Sequence, residues 1–302
     1  MSTEAPRWRI GLIGYGEVGR ILAEDLRARD LVVSAYDVKL AQPDAALALQ
    51  DHAAEHGVRL AESHADAAAG ADLLISAVTS SQTAAAAQAA CAGLKAGAFF
   101  LDFNSASPGA KSRAADSVNA AGGRYVEGAV MTSVPPYRIR VPLLLGGPGA
   151  RALEAPLKSM GFDPRVASDR LGVASATKMC RSVMIKGLEA MVIESFTAAR
   201  HYGVEDALIA SLKETFPGVD WEQQAAYFFQ RVIEHGRRRA EEMREAAQTV
   251  REAGLAPWSA EGTAERQAWV AGLAEAGVFG ARNADWRVAA DRVLEQLEEG
   301  AR

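Results

Sequence analysis

An apolar run, Ile10-Gly11-Leu12-Ile13, breaks into Gly14-Tyr15-Gly16-Glu17-Val18-Gly19, and a helical pattern of Val18, Ile21, Leu22 and Leu26 begins inside that break. Three glycines at this spacing, after a strand and opening a helix, make a cradle for a pyrophosphate. Gly14 permits the tight turn, Gly16 lets backbone approach the phosphates, and Gly19 lets the helix pack closely on the strand. The unpaired N–H groups at the helix start face the anion. A second strand, Leu31-Val32-Val33-Ser34-Ala35-Tyr36, ends at Asp37. That acid falls about 20 residues beyond Gly16, where a carboxylate that grips an adenosine ribose belongs.

The rest of the chain must bring a substrate to this unit. At 302 residues it is long enough for two domains, each with its own core. A net charge of −5 offers nothing to nucleic acid or to an anionic membrane surface. Cys91 and Cys180 supply neither a disulfide framework nor a metal-ligand spacing, the five scattered histidines do not change that, and no metal is expected. Residues Met1 to Arg7 lack an apolar signal core, and no apolar stretch reaches bilayer length. A soluble, cytoplasmic protein is expected.

Strand and helix signals alternate beyond Asp37. Val58-Arg59-Leu60 reads as a third strand, Asp72 to Val78 as a strand buried on both faces, and Ala98 to Asp102 as the next. Ser107-Pro108 is a cap and first turn for a helix through Ala121. Strands at Arg124–Met131 and Val141–Leu145 and an αβ unit at Arg151–Val166 follow. The pattern predicts an α/β fold, a doubly wound parallel sheet over residues 1–167. Ligands of such sheets sit beyond the carboxyl ends of the strands, which makes the segments Gly14–Gly19, Val78–Ser81 and Asn104–Ser107 candidate site loops. Composition changes at Ala167-Ser168-Asp169, and residues 168–302 read as all-helical. They open with a helix from Leu171 to about Tyr202, roughly 45–50 Å long. Further helices are expected at Val204–Glu214, Trp221–His235, Arg237–Ala253, Ser259–Gly277 and Trp286–Leu297. A helix of that length suits a spine between domains or subunits, so a homodimer is expected.

Lys178 is the sharpest candidate for chemistry. Small residues precede it in Gly172-Val173-Ala174-Ser175-Ala176-Thr177-Lys178, and Arg181 and Ser182 share its helical face. An amine held in a partly desolvated cleft can exchange a proton with a hydroxyl.

These segments together resemble the β-hydroxyacid dehydrogenase family, which includes 3-hydroxyisobutyrate dehydrogenase and 6-phosphogluconate dehydrogenase. Ile10 to Gly19 resembles its first motif, with Tyr15 where most members have methionine; Asp102 to Pro108 resembles its substrate loop, and Gly172 to Ser182 its catalytic lysine helix. Arg231 to Met243 is similar to the signature of a branch with its own helical C-terminal domain. The resemblance implies an NAD(P)-dependent oxidoreductase acting on a small hydroxy acid, with Lys178 as general acid/base. It implies that Asn104 and Ser105 face nicotinamide and substrate carboxylate, that Thr132 and Ser133 hold substrate, and that Val78 and Thr79 line the cofactor beside Gly14, Tyr15, Gly16, Glu17, Val18 and Asp37.

The chain departs from the family where substrate binds. Arg181 and Ser182 stand where many members have two asparagines, and Thr132-Ser133-Val134 replaces a Ser-Gly-Gly loop. Arg181 adds a possible carboxylate fork, and His235 with the Arg237-Arg238-Arg239 run could close over a carboxylate or could form a solvated face balanced by glutamates. Asp37 would repel a 2′-phosphate, so NAD is favoured, while Lys39 and Arg59 keep NADP possible. Oxidative decarboxylation of a sugar acid, imine reduction, and a non-catalytic nucleotide sensor are the alternatives.

Overall fold

The computed structural model describes residues 8–300, so the expectation about Met1 to Arg7 lies outside the described residues. Strand β1 (Arg9–Ile13) runs through the glycine turn into α1 (Glu17–Arg27), followed by β2 (Val32–Tyr36), α2 (Pro43–His56), β3 (Arg59–Leu60) and α3 (His64–Ala68). Next come β4 (Leu73–Ser76), α4 (Thr83–Ala90), β5 (Phe99–Asp102), α5 (Pro108–Ala120) and β6 (Arg124–Val130). The sheet closes with α6 (Val134–Tyr137), β7 (Pro142–Gly146), α7 (Ala150–Ser159) and β8 (Asp163–Ser168). Strand order is β3-β2-β1-β4-β5-β6-β7-β8, and it reverses direction of growth between β1 and β4.

The strands alternate their side chains between two apolar layers, as a period of two requires. Leu73, Ile75, Phe99 and Leu101 point into one layer with Leu22, Leu26, Leu49 and Leu153. Their neighbours Leu74 and Phe100 point into the other with Ala86, Ala90, Ala114 and Val118. Both faces are thus covered, and each large buried side chain contributes about 1.5–3 kcal/mol.

The doubly wound sheet is parallel except at one pairing. β7 runs antiparallel to β6, with Glu127 opposite Gly146, and β8 runs parallel to β7. A parallel return takes a crossover of a dozen or more residues. The segment from Met131 to Val141 holds only the four-residue α6 and one turn of 3-10 helix, too little to cross the sheet.

Helix α8 (Val173–Tyr202) leads to α9 (Glu205–Thr215), α10 (Trp221–Glu252), α11 (Trp258–Glu275) and α12 (Trp286–Gly300). The chain forms two compact units, Met1–Met179 and Cys180–Arg302, so packing partners change inside α8. The helical unit has its own core around Phe196, Phe228, Phe229, Val232, Trp286 and Val293. The expected break at Gly236 is absent: α10 is one helix of 32 residues. A Cβ at Gly236 would sit 2.7 Å from the Gln267 carbonyl oxygen, so this glycine serves the close approach of α11 rather than a turn. Arg239 forks onto Glu189 and Lys186 pairs with Glu242 beside it, placing part of the basic run inside the helix bundle. Among the described residues no helix is long and apolar enough to cross a membrane.

Candidate active site

The glycine turn has the geometry its spacing requires. Gly14 has φ +91°, and a Cβ there would meet the Ala77 carbonyl oxygen at 2.3 Å, so β1 and the segment after β4 are pressed together. A Cβ on Gly19 would lie 2.0 Å from the Gly14 carbonyl oxygen, which fixes α1 against its own strand. Gly16 faces open space, with nothing within 4 Å of its Cβ position, and it caps α1 without a side-chain bond. Helix N–H groups and an unobstructed backbone fit a dinucleotide pyrophosphate. Asp37 sits at the end of β2, its carboxylate accepting from Tyr15 N at 2.8 Å and Lys39 N at 2.9 Å. Those bonds aim the acid while leaving lone pairs for ribose hydroxyls.

Tyr15 itself turns inward. Its ring is fully buried and its hydroxyl meets His52 Nδ1 at 2.8 Å, so only its backbone borders the turn. Burial pushes the phenol up to about 12, with Glu24 adding to the rise and Arg20 opposing it.

The loops after β4 and β5 are tied to each other by Asn104. Its Nδ2 donates to Ser76 Oγ at 3.0 Å, and its Oδ1 accepts from Val78 N at 2.7 Å. Val78 is half-buried and Thr79 exposed at this edge. Under the loop lies a buried triad that the sequence did not announce. Lys111 Nζ pairs with Asp102 Oδ1 at 2.8 Å, and the Tyr125 hydroxyl donates to Asp102 Oδ2 at 2.6 Å. Burial, with Asp102 beside it, raises the Tyr125 phenol well above its ordinary value. Asp102 Oδ1 also accepts from Asn104 N, so this network fixes the loop that carries Ser105.

Lys178 reaches that loop: its Nζ donates to Ser105 Oγ at 2.5 Å. The helix that carries it is anchored by Glu127, fully buried on β6. Glu127 Oε1 accepts from Ala174 N at 3.0 Å, and Oε2 accepts from Ser175 Oγ at 2.7 Å. A carboxylate at a helix N-terminus satisfies an orphan N–H and opposes the positive end of the dipole. Gly146 on the opposed strand leaves room for it, since a Cβ there would lie 2.2 Å from Glu127 Oε1. A line of contacts therefore runs from Gly14 through Ala77, Val78 and Asn104 to Ser105 and Lys178.

Residues 9–147 match the NAD binding domain of 6-phosphogluconate dehydrogenase, and residues 199–270 match a domain of unknown function, DUF1932. A conserved hypothetical protein from Sinorhizobium meliloti 1021 is 37% identical over 95% of this chain and 97% of that one, with a TM-score of 0.78. The conserved protein MTH1747, of unknown function and described as structurally similar to 3-hydroxyacid dehydrogenases, is 28% identical over 87% of this chain and 97% of its own, with a TM-score of 0.68. The chain belongs to the β-hydroxyacid dehydrogenase family. The 3-hydroxyisobutyrate dehydrogenase of Mycobacterium tuberculosis shares the fold at 16% identity, covering 95% of this chain and 99% of that one, with a TM-score of 0.64.

The first unit of this β-hydroxyacid dehydrogenase relative is an NAD(P)-binding domain. The remaining expected site residues are spread over both units. Thr132, exposed, and Ser133, half-buried, follow β6 at the carboxyl edge of the sheet next to the β5 loop. Arg181, exposed, and Ser182, buried, lie one turn beyond Lys178 on α8. His235 lies on α10 in the helical unit, lining a surface groove of about 390 Å³ with Arg237, Arg238 and Glu275. Burial, with Arg238 and Arg231 nearby, holds its imidazole below the usual range. Arg237 is forked onto Glu275, with its Nε at 3.0 Å, and Arg238 lies 3.6 Å from Glu242, so the basic run is engaged by glutamates within its own unit.

Proposed function

We propose that the protein is an NAD(P)-dependent oxidoreductase that interconverts a small β-hydroxy acid and its oxo acid, with Lys178 as general acid/base. The observation that carries this reading is the Lys178–Ser105 hydrogen bond at the sheet edge, reached by contacts from the glycine turn. The amide groups opening α1 would hold the pyrophosphate, Asp37 the ribose, and Val78, Thr79 and Asn104 the nicotinamide end. When bound, that cofactor supplies a hydride donor or acceptor, chemistry no side chain offers.

The chain's own residues would handle the proton and the position of the substrate. In the oxidative direction the unprotonated Lys178 amine takes the hydroxyl proton, and in reduction the ammonium returns it. Ser105 steadies the amine, while Thr132 and Ser133 orient the substrate. Holding the reactants in register supplies most of what a protein can add to such a transfer.

NAD is the proposed partner over NADP. Arg59, which could have answered a 2′-phosphate, is forked onto both oxygens of Asp66 at 3.0 Å, leaving Lys39 as the nearby cation in sequence. A homodimer is proposed as well, because Met184 and Met191, two turns apart on α8, are 73% and 61% exposed; light scattering would measure it.

The test is a panel of small hydroxy acids with NAD and with NADP, read by reduced-nicotinamide absorbance. Lys178→Met should lower kcat/KM by about 10²–10⁴ while leaving NAD affinity intact. Full turnover in that variant would remove Lys178 from the mechanism. Tight NAD binding with no hydride transfer across the panel would favour a nucleotide sensor, and carbon dioxide release would favour oxidative decarboxylation.

A further inference from the structure

Helices α1 and α2 bring Glu24, His52 and His56 together outside the site described above. One ligand atom from each lies within 4.8 Å of the other two. His52 and His56 are four apart on α2, the spacing that puts two imidazoles on one helical face, and their ring centroids are 4.5 Å apart. His52 Nε2 lies 2.9 Å from Glu24 Oε1. Two donor atoms bound tetrahedrally at about 2.0–2.1 Å sit roughly 3.3 Å apart, so around an ion the His52–Glu24 pair would part by about half an ångström and the wider pairs would close by up to about 1.5 Å. We infer that Glu24, His52 and His56 form a site for a divalent transition-metal ion of the zinc or cobalt type, beside the dinucleotide turn.

Three further features fit an ion. Arg138 donates from Nη2 to Glu24 Oε2 at 2.6 Å and from Nε to Asp25 at 3.0 Å, while Arg27 Nε donates to the His56 carbonyl at 3.2 Å and Arg20 acts on the Tyr15 phenol. Glu24 Oε1, the oxygen that Arg138 does not occupy, is the one that faces His52. Burial works to raise the Glu24 carboxyl, but the hydrogen bonds from His52 and Arg138 prevail and hold it below its usual value, so it is ionised at neutral pH. The other nitrogen of His52 is already held by the Tyr15 hydroxyl, the kind of outer partner that orients metal-bound imidazoles.

Proton bookkeeping closes without a further reactant. With Tyr15 a phenol, its hydroxyl donates to Nδ1 and Nε2–H donates to Glu24. When an ion takes Nε2, that proton leaves to solvent and one from solvent is taken up at Nδ1, which then donates to the Tyr15 oxygen as the phenol O–H rotates away, so the imidazole changes tautomer and stays neutral. Two imidazoles and one carboxylate leave a fourth position for water. The spacing of the two histidines gives no metal signal by itself, because the third ligand comes from a different helix.

The site is independent of the redox reading and is tested without turnover. Untagged, chelator-stripped protein is titrated with ZnCl₂ by calorimetry and with CoCl₂ by visible absorbance. Saturable one-to-one binding and a tetrahedral cobalt spectrum are expected. His56→Ala and Glu24→Gln should each weaken binding at least about 10-fold, and Tyr15→Phe by about 10–100-fold, as loss of an outer partner does. Circular dichroism reports that each variant is folded. Absence of binding by the folded wild type overturns the inference, and so does binding that Glu24→Gln and His56→Ala leave unchanged, which would mark an adventitious ion.

Discussion

Replacing Gly236 with alanine sets two effects of known sign against each other. In a helix interior alanine is favoured over glycine by about 1 kcal/mol. At Gly236, however, the new methyl would lie 2.7 Å from the Gln267 carbonyl oxygen, 3.1 Å from Ala271 Cβ and 3.4 Å from Ala271 N. Backbone of α11 cannot yield at one atom, so the two helices must separate along their contact. Overpacking of this kind costs about 1–3 kcal/mol, enough to cancel or exceed the propensity gain. Gly262, within α11, is the control: nothing lies within 4 Å of its Cβ position, so Gly262→Ala should collect the gain undiminished. The two variants should differ by about 1–3 kcal/mol, with Gly262→Ala above wild type. At roughly 2–4 °C per kcal/mol their melting temperatures by far-UV circular dichroism should separate by several degrees. If Gly236→Ala melts as high as Gly262→Ala, the glycine is not there for the helix contact, and the account of α10 as one helix packed closely on α11 fails.

Other perturbations probe the dinucleotide unit. Tyr125→Phe removes a donor from the buried Asp102 carboxylate and should cost about 1–3 kcal/mol in urea unfolding, since Lys111 remains but one oxygen loses its phenol. Asp37→Ser should weaken NAD by about 10–100-fold, the worth of one or two charge-assisted bonds, and narrow the gap to NADP, as fluorescence titration would show. The Glu24 carboxyl is held below its unfolded value, so its contribution is present above the unfolded value and is lost as pH falls through the folded one. The melting-temperature difference between wild type and Glu24→Gln should therefore be largest at neutral pH and shrink in acid; a difference that grows in acid would contradict the assignment.

What could be read from the sequence was local. The glycine turn, the acid ending β2, the continuous apolar strands and the Ser107 cap each declare themselves within a few residues, because turn geometry and pleat periodicity act at that range. The reversal of β7 could not be read from apolar pattern alone, since Val141 to Leu145 looks the same in either direction; it follows from how little chain separates it from β6. Gly236 reads as a helix break because its reason, the Gln267 carbonyl, lies 31 residues away on another helix.

The acids that hold the candidate site together fail to announce themselves for a related reason. Asp102 closes the run Phe99-Phe100-Leu101, and Glu127 interrupts Val126-Gly128-Ala129-Val130; a carboxylate inside a fully apolar strand is the one signal the sequence offers. A buried charge must be answered, but the answering groups are a lysine on α5, a phenol on β6 and a helix N-terminus 47 residues on, and only the fold selects them. Lys178 thus depends on residues that carry no chemistry themselves. Glu127 fixes where α8 starts, Asp102 fixes the loop that presents Ser105, and the amine meets the hydroxyl because both anchors belong to adjacent parallel strands. A change at Glu127 should therefore reach kcat through the position of Lys178, because both of its carboxylate oxygens are taken up by the start of α8. Glu127→Gln, which keeps the shape and removes the charge that faces the helix terminus, should lower kcat more than it raises KM; an unchanged kcat would mean that α8 is held in register by packing alone.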